Sequence, residues 1–425
     1  MKLSLEKISL YALLIFLMIC STGNVVIQIF SIVFFGTIMV FVKGINNNIY
    51  FITFYISLLF LSLIQLLFFW EDDYAYPYIV NTLLISAMWF FAFVAHNFII
   101  NSVKICSLHS LEKVLNYFFT LNIILVLIQY FRLCLEAKTL FPFSVPQYGM
   151  STGDYLKGFF SNSSVNMVVM SFFSIYYFSL KKKLKTIFSI LVTLLTTYMS
   201  GILIGLGIIS AFAFFKFSLA NKAKVIVMIF LGIYLFSIVS PENIKYVNHI
   251  FTEKINSKTD PVRKLVSFEE TATNFVSSPK SFLFGEGGGK FSSRTAYLTG
   301  GEYVTWYPEA LVYRSETFEK NHFKLWNNEA LRIPFRDGTA NQPFSFYNKI
   351  IGEYGLVGII LFSIYLYYFF KHYRFLTYGK IIVLLTLGFL LLDYWFEYFS
   401  VMLFFELFML IDIKRHKELA NNNVV

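Results

Sequence analysis

Charged residues are scarce in this sequence. Of its 425 residues, 14% are charged and 57% are hydrophobic, whereas about 25% of the residues of a typical soluble domain are charged. A chain of this length with so little polar surface cannot cover a soluble globule. The positive mean hydropathy of +0.64 agrees. We therefore predict an integral membrane protein.

Cysteine and histidine are too few and too scattered to build a disulfide framework or a metal site. Cys20, Cys106 and Cys134 lie far apart in a chain with six histidines. No HExxH pattern and no carboxylate–histidine pair with ligand spacing occurs. We therefore predict no metal ion and no cofactor. The net charge of +10 arises from lysines at the ends of apolar segments, so no nucleic-acid partner is expected.

Twelve apolar segments approach the length of a membrane-spanning helix, although several are short. They lie near residues 8–22, 24–42, 49–70, 79–101, 114–135, 161–180, 184–199, 202–219, 223–240, 351–370, 381–395 and 398–413. The predicted fold class is an all-α polytopic membrane protein with about twelve transmembrane helices. One hydrophilic segment, residues 241–345, interrupts them, and we call it the island. It separates a bundle of about nine helices (1–240) from C-terminal helices and a tail (346–425).

Lysine and arginine are concentrated in one of the two alternating sets of connections. Short loops rich in these residues remain in the cytoplasm. We therefore expect both termini to be cytoplasmic, and the loop at 136–160 and the island to be extracytoplasmic. The first twenty residues resemble a signal peptide, but Met18 and Ile19 are too bulky for its cleavage site. An uncleaved first helix is expected.

A few polar residues fall within the predicted spans. They are His96, Asn97, Asn122, Gln129 and Glu406. A charge at membrane depth is a candidate functional group by default. Most polar residues in a bundle of this size, however, link neighbouring helices.

The island contains a glycine-rich turn. An apolar, strand-like triplet, Phe282 to Phe284, runs into Gly285 to Gly289 and ends at Lys290. Successive backbone N–H groups in such a turn can cradle a phosphate. The turn lacks the GK[ST] spacing of a nucleotide-binding loop. It is equally consistent with an ordinary surface turn.

Four arginines follow the glycine turn among many aromatic residues. They are Arg294, Arg314, Arg332 and Arg336. The planar guanidinium group grips two phosphate oxygens at once, and aromatic faces stack on sugar rings. The composition fits a glycan–diphosphate ligand, and it also fits any folded extracytoplasmic loop.

Three segments together resemble the O-antigen polymerase and O-antigen ligase superfamily of bacterial inner membranes. LKGFFSNSSVNMVVM (156–170) is similar to the family's basic residue, glycine and aromatic residue before an Asn-rich helix start. SPKSFLFGEGGGKF (278–291) resembles its P-x-x-x-hydrophobic-G-x-G-x-G pattern after an arginine-bearing helix, where Arg263 takes the arginine's place. KIIGEYGLVGIILF (349–362) is similar to its E-x-G-hydrophobic-x-G at the end of the large loop.

Two departures from the family pattern matter. Ligases and many relatives carry His-Asn nine residues before the glutamate, and the corresponding residues here are Phe344 and Ser345. This departure favours a polymerase over a ligase. The family's frequent Ser-Arg at a mid-chain helix start is Ser200-Gly201 here, which leaves one cationic contact unassigned.

The resemblance implies a GT-C-like membrane fold and a metal-independent glycosyltransferase of the bacterial inner membrane. The enzyme would transfer a growing glycan from undecaprenyl diphosphate to a new lipid-linked repeat unit on the outer face. Its implied partners are the undecaprenyl-diphosphate-linked oligosaccharide, the lipid bilayer and a chain-length regulator protein. An O-antigen ligase, a polysaccharide flippase or exporter, and a binding or sensor protein remain alternatives.

The resemblance also implies site residues. Arg263 would neutralise the diphosphate leaving group, and Glu353 would act as the base for the acceptor hydroxyl. A structural role for Glu353 as an acid at a helix N-terminus is the competing interpretation. The residues expected to bind the diphosphate or the glycan are Lys157, Gly285, Gly287, Gly289, Lys290, Arg294, Arg314 and Arg336.

Overall fold

The computed structural model describes residues 5–68, 75–149, 154–216, 218–255, 257, 260–304, 306–332 and 342–422. The acidic connection at 71–73 and the candidate Arg336 lie outside these residues. Helices make up 78% of the structure, and the described part of the chain contains no strand. The all-helical prediction is confirmed.

Each of the twelve apolar segments coincides with a helix, and we number these bundle helices α1 to α12. They are α1 (Leu5–Ser21), α2 (Val25–Lys43), α3 (Ile49–Phe68), α4 (Ala75–Ile105), α5 (Leu108–Ala137), α6 (Ser163–Ser179), α7 (Lys183–Leu195), α8 (Met199–Lys216), α9 (Leu219–Val239), α10 (Phe346–Lys371), α11 (Gly379–Phe389) and α12 (Phe399–Asn422).

The bundle helices differ in their capacity to cross a bilayer. Among the described residues, five helices are long and apolar enough to do so: α2, α3, α4, α5 and α10. In contrast, α7 has 13 residues and α11 has 11. At 1.5 Å per residue both are shorter than a hydrocarbon core of about 30 Å. The protein is a helical membrane protein, and the count of twelve crossings remains a prediction.

Contacts between the connections divide them into two ends of the bundle. At the lysine-rich end, the Glu6 carboxylate accepts hydrogen bonds from the hydroxyls of Ser107 and Ser110, both 2.7 Å long. Arg415 at the C-terminal end of α12 pairs with Glu112 of α5 at 2.7 Å. The grouping agrees with the distribution of lysine and arginine along the chain. That this end faces the cytoplasm remains a prediction.

The island lies at the opposite end. The Asn81 side chain of α4 donates to the Gly289 carbonyl at 2.7 Å. The first island helix, Pro241–His249, contacts two short helices of the 136–160 loop, Pro142–Ser144 and Pro146–Gly149. The two loops predicted to be extracytoplasmic therefore lie together.

A pair of reporter fusions tests the predicted orientation. Alkaline phosphatase folds into an active enzyme outside the cytoplasm. We expect high activity from a fusion at Tyr303 in the island and low activity from a fusion after Lys183, at the start of α7. The reverse pattern would place the island in the cytoplasm and contradict the account.

The island folds into short helices rather than strands. Its α-helices are Pro241–His249, Arg263–Phe275, Pro279–Phe284, Arg294–Thr299, Glu316–Lys320 and Asn328–Leu331. The strand-like interpretation of Phe282 to Phe284 was wrong. Pro279 occupies the first turn, and the Ser278 hydroxyl accepts a hydrogen bond from the Ser281 N–H. Serine at the N-cap followed by proline is a strong helix start.

The polar residues within the spans link helices. The Glu406 carboxylate of α12 accepts hydrogen bonds from Tyr55 at 2.7 Å and Tyr365 at 2.9 Å, and it lies 2.7 Å from Nδ1 of His96. This cluster joins α3, α4, α10 and α12. The Asn122 amide of α5 similarly donates to Asn166 of α6 at 3.0 Å.

Candidate functional site

The glycine turn docks onto a kink in α10. Gly355 adopts φ 59° and ψ −148°, which interrupts the helix. Beside this interruption, the Glu286 N–H donates to the Gly352 carbonyl at 2.7 Å and the Gly287 N–H donates to the Glu353 carbonyl at 3.2 Å. Two of the three family-like segments, 278–291 and 349–362, therefore form one unit.

This docking requires glycine on both sides. A Cβ on Gly285 would lie 2.5 Å from the carbonyl carbon of Glu353, and a Cβ on Gly355 would lie 2.7 Å from the Gly285 nitrogen. Both glycines also have positive φ, +69° and +59°, which side-chain-bearing residues adopt only at a cost. Close backbone contact explains these two glycines without a ligand.

Gln65 of α3 fastens the turn and the kinked helix to the bundle. Its side-chain amide donates to the carbonyls of Phe284 at 2.6 Å and Glu353 at 2.9 Å. Its oxygen accepts from the Gly288 N–H at 2.9 Å. This role of Gln65 could not be predicted from the sequence, where it is a single glutamine in an apolar helix.

The Glu353 carboxylate serves as an anchor for the island backbone. One oxygen accepts the N–H groups of Phe291, Ser292 and Ser293 at 2.9–3.0 Å, and the other accepts the Gly289 N–H at 2.9 Å. The side chain is completely buried. Four backbone donors occupy the carboxylate that the sequence offered as a general base. This geometry favours a structural role for Glu353, as an anchor of the island backbone and not as an acid at a helix N-terminus.

The predicted phosphate cradle is occupied by the chain itself. The N–H groups of Glu286 through Gly289 bind Gln65 and groups of α10, as described above. The Lys290 ammonium lies 3.9 Å from the ring centre of Tyr78 and 5.6 Å from that of Tyr313, and the residue is buried. The turn thus acts as a docking element, and diphosphate binding by Gly285, Gly287, Gly289 and Lys290 stays a prediction.

A buried ion pair, Lys349–Glu397, lies beside Glu353. The Lys349 ammonium of α10 is 2.9 Å from a Glu397 oxygen, and both side chains are at most 1% exposed. The same glutamate oxygen accepts the Arg294 N–H at 2.9 Å. The ammonium also lies 4.1 Å from the ring centre of Trp89. The pair joins the island, α10 and the turn before α12.

Lys264 and Asp393 complete this network. The Lys264 ammonium donates to the carbonyls of Phe344 at 2.6 Å and Leu392 at 2.8 Å. Burial lowers the pKa of Lys264, and burial likewise raises the pKa of Asp393. Both shifts favour the neutral forms of the two groups. We call the set Lys264, Arg294, Lys349, Glu353, Asp393 and Glu397 the seam cluster.

The island helix Arg263–Phe275 turns a polar face towards the bundle. Its buried residues are Lys264, Ser267 and Thr271, which recur at helical spacing. The Asn348 amide of α10 donates to the Ser267 hydroxyl at 3.0 Å. The helical spacing of these polar residues is visible in the sequence. Such a stripe normally predicts the solvent-exposed face of a helix, so its burial was not expected.

Two candidate arginines flank one short helix, Phe323–Leu325. The Arg263 guanidinium donates to the Leu325 carbonyl at 2.5 Å. The Arg314 guanidinium lies 4.0 Å from the ring centre of Phe323, and its Nε donates to the Gly300 carbonyl at 2.6 Å. Both arginines are half-buried.

A stacked pair of tyrosines lies near Arg314 and near a third arginine, Arg294. The rings of Tyr297 and Tyr303 lie 4.3 Å apart at 17°. The Tyr303 ring centre lies 6.3 Å from that of Phe323, the ring beside Arg314. The Tyr297 ring centre lies 6.3 Å from that of Tyr394, whose ring stacks on Tyr398 beside Arg294. We call Arg263, Arg294, Arg314, Tyr297 and Tyr303 the arginine–tyrosine face.

Lys157 lies in a different part of the island end of the bundle. It is exposed, and its turn is anchored to α5, where the Gly158 N–H donates to Gln129 at 2.8 Å and the Phe159 N–H donates to Asn122 at 3.0 Å. Trp306 of the island, which sequence reasoning did not single out, is 70% exposed.

The geometry provides no metal centre in the described residues, because no three His, Cys, Asp or Glu side chains are grouped as ligands. His322 is fully buried, with its ring 4.2 Å from that of Phe291. Burial lowers the pKa of His322 to about 3, so its imidazole is neutral at physiological pH.

Comparison with known proteins finds no matching family model, no matching curated protein and no matching solved structure. The resemblance to the O-antigen polymerase and ligase superfamily therefore depends on the three segments and their placement.

Proposed function

We propose that this protein is a membrane glycosyltransferase that polymerises lipid-linked oligosaccharide repeat units on the outer face of a bacterial inner membrane. The observation that carries the proposal is the arginine–tyrosine face. Arg263, Arg294 and Arg314 are separated in sequence by up to about fifty residues. Arg294 and Arg314 nevertheless lie over rings of one aromatic cluster, and Arg263 binds the Leu325 carbonyl between two members of that cluster, Phe323 and Trp326. Guanidinium groups beside aromatic rings suit a ligand with both a diphosphate and sugars.

The proposed reaction requires cations that neutralise its leaving group. An acceptor hydroxyl forms a new bond to the anomeric carbon, and the bond from that carbon to the diphosphate oxygen breaks. The bonding electrons leave with the diphosphate, and the hydroxyl proton passes to water. Arg263, Arg294 and Arg314 would neutralise the negative charge that develops on the leaving group. The Tyr297 and Tyr303 rings would orient the adjoining sugar.

The seam cluster would position this face relative to the membrane. A lipid-linked donor presents its diphosphate where the hydrocarbon chain enters the bilayer. Arg294 belongs to both the face and the seam, because its N–H binds Glu397 and its guanidinium lies 4.9 Å from the ring centre of Tyr398. The buried Lys349–Glu397 pair fixes this segment on α10. In this proposal Glu353 supports the site and does not touch the acceptor.

The residues that replace the His-Asn pair of the ligases, Phe344 and Ser345, favour a polymerase over a ligase. Phe344 is completely buried within the island's aromatic cluster. The Ser345 hydroxyl caps α10 by accepting the Asn348 N–H at 3.0 Å. Both positions are committed to packing and helix capping, and neither offers the catalytic histidine that the ligase resemblance would require.

A deletion strain of the source organism tests the function. We expect loss of this protein to leave single repeat units on the final acceptor in place of long glycan chains. Complete absence of attached units would indicate a ligase. Units trapped on the cytoplasmic face would indicate a flippase.

Substitution of Arg263 tests the arginine–tyrosine face in the same assay. Arg263→Ala is expected to abolish long chains, because a charge-assisted contact contributes about 1.5–3 kcal/mol, or about ten- to a hundredfold in rate. Arg263→Lys should recover little, since a point charge cannot replace the planar fork. Arg132→Ala is the control, because Arg132 is 81% exposed and pairs only with Glu136 among the described ion pairs. An unchanged ladder of chain lengths with Arg263→Ala at normal protein levels would remove Arg263 from the site.

A further inference from the structure

A polar cleft lies at the lysine-rich end of the bundle, opposite the island. Its volume is about 510 Å³. The residues that line it come from the ends of α2, α4, α10 and α12 and from the loop before α3. They are Lys43, Ile45, Asn46, Asn47, Asn48, Ile100, Asn101, Lys104, Tyr368, His372 and Lys417.

The lining of this cleft carries positive charge without an acid. Lys43, Lys104 and Lys417 each come from a different helix, and none of the described lining residues is Asp or Glu. Lys104 is held by the Asn46 side-chain oxygen at 2.6 Å. A lysine at a helix end is common and is favoured by the helix dipole. Here three such lysines border the same cavity.

Neutral donors accompany the lysines. Asn47 and Asn48 line the cleft immediately before α3 begins at Ile49, so the positive end of a 20-residue helix borders it. Nδ1 of His372 lies 2.8 Å from the Tyr368 carbonyl. This contact fixes the ring, so that Nε2 points away from the Tyr368 carbonyl.

The loop that forms one wall is held in place. The Asn46 N–H donates to the Asn97 side chain at 2.8 Å, and the Asn101 amide donates to the Gly44 carbonyl at 3.1 Å. Both anchors belong to α4. The donors of this loop are therefore arranged before any ligand arrives, which reduces the entropy lost on binding.

We propose that this basic cleft binds a phosphate group, carried by an anionic phospholipid or free in solution. Three ammonium groups, the side-chain amides of Asn47 and Asn48 and the N-terminus of α3 are of the kind that phosphate oxygens accept from. The site is separate from the arginine–tyrosine face, and its test does not depend on glycan polymerisation.

The experiment measures both sources of phosphate on the purified full chain. In one arm, native mass spectrometry counts the phosphatidylglycerol retained by protein taken from nanodiscs of mixed phosphatidylglycerol and phosphatidylcholine. In the other arm, inorganic phosphate is titrated into detergent-solubilised protein by calorimetry. The test variant combines Lys43→Gln, Lys104→Gln and Lys417→Gln. The control combines Lys113→Gln, Lys182→Gln and Lys183→Gln, which remove the same charge from the same end outside the cleft.

We expect the cleft variant to bind at least about tenfold more weakly in the arm where the wild type binds, and the control to bind as the wild type does. Replacing the same three cleft lysines by arginine should preserve binding and shows that the chain still folds. Retention of phosphatidylglycerol alone identifies a lipid ligand, and binding in the calorimeter identifies a free one. Wild-type protein that binds in neither arm, or equal loss in the cleft and control variants, would overturn the proposal.

Discussion

Lys349→Met is expected to destabilise the protein by about 3–5 kcal/mol, because it leaves the buried Glu397 carboxylate without its cation. Glu397 would keep the Arg294 N–H, which cannot neutralise a full charge in a site that is at most 1% exposed. The loss would appear as a lower melting temperature of the solubilised protein and as reduced accumulation in membranes.

The matched control for this variant is Lys371→Met on the same helix. Lys371 is exposed, so its loss should change the melting temperature little. Adding Glu397→Gln to Lys349→Met should restore part of the lost stability, because removing both charges avoids the unpaired one. Equal melting temperatures for Lys349→Met and Lys371→Met would show that the ion pair does not hold the island on α10.

Gly355→Ala is expected to detach the glycine turn from α10. The new Cβ would lie 2.7 Å from backbone atoms of Leu283, Phe284 and Gly285, and backbone atoms cannot rotate away as a side chain can. Positive φ adds strain, so the combined cost is about 3 kcal/mol or more. Glu353 would then lose its four N–H partners. The melting temperature and protease resistance of the island should both fall.

Gly207→Ala provides the control for this substitution. Gly207 lies in α8 and a Cβ there would meet no atom within 4 Å, so alanine should be neutral or slightly stabilising through helix propensity. If Gly355→Ala melts like Gly207→Ala, the turn does not depend on close docking at the kink.

The helices were predictable because their signal is local. An apolar run such as the one in α2 or α10 has no stable alternative inside a bilayer, so each of the twelve segments formed a helix near its predicted position. The number of helices that cross the membrane is harder to predict from the sequence. Helix α7 has only 13 residues. The depth of so short a helix in the bilayer depends on its contacts with the surrounding helices.

The candidate site was predictable only in part, because its contacts join distant segments. Glu353 and Gly285 were singled out from sequence, but the bond between the Glu353 carboxylate and Ser293 spans 60 residues. Local sequence therefore could not distinguish an anchor from a base. Arg263 was singled out from the sequence and its neighbour Lys264 was not, although Lys264 is the buried one. Which side of that helix faces the bundle is decided by Asn348 and the carbonyls of Phe344 and Leu392.

Lys349 shows a similar limit. In the sequence it is a basic residue near the start of an apolar helix, where snorkelling to the membrane surface is the usual outcome. In the structure it is completely buried and paired with Glu397, 48 residues further along the chain. A buried cation at the end of a large loop could be recognised only once its carboxylate partner had been found.

The most direct test of the central claim is reconstitution of the purified protein in liposomes with undecaprenyl-diphosphate-linked repeat units from the source organism, in the presence of a chelator. We expect a ladder of glycans that lengthens one repeat unit at a time, remains attached to the lipid diphosphate, and is absent with Arg263→Ala. Repeat units that stay single with correctly folded wild-type protein would contradict it.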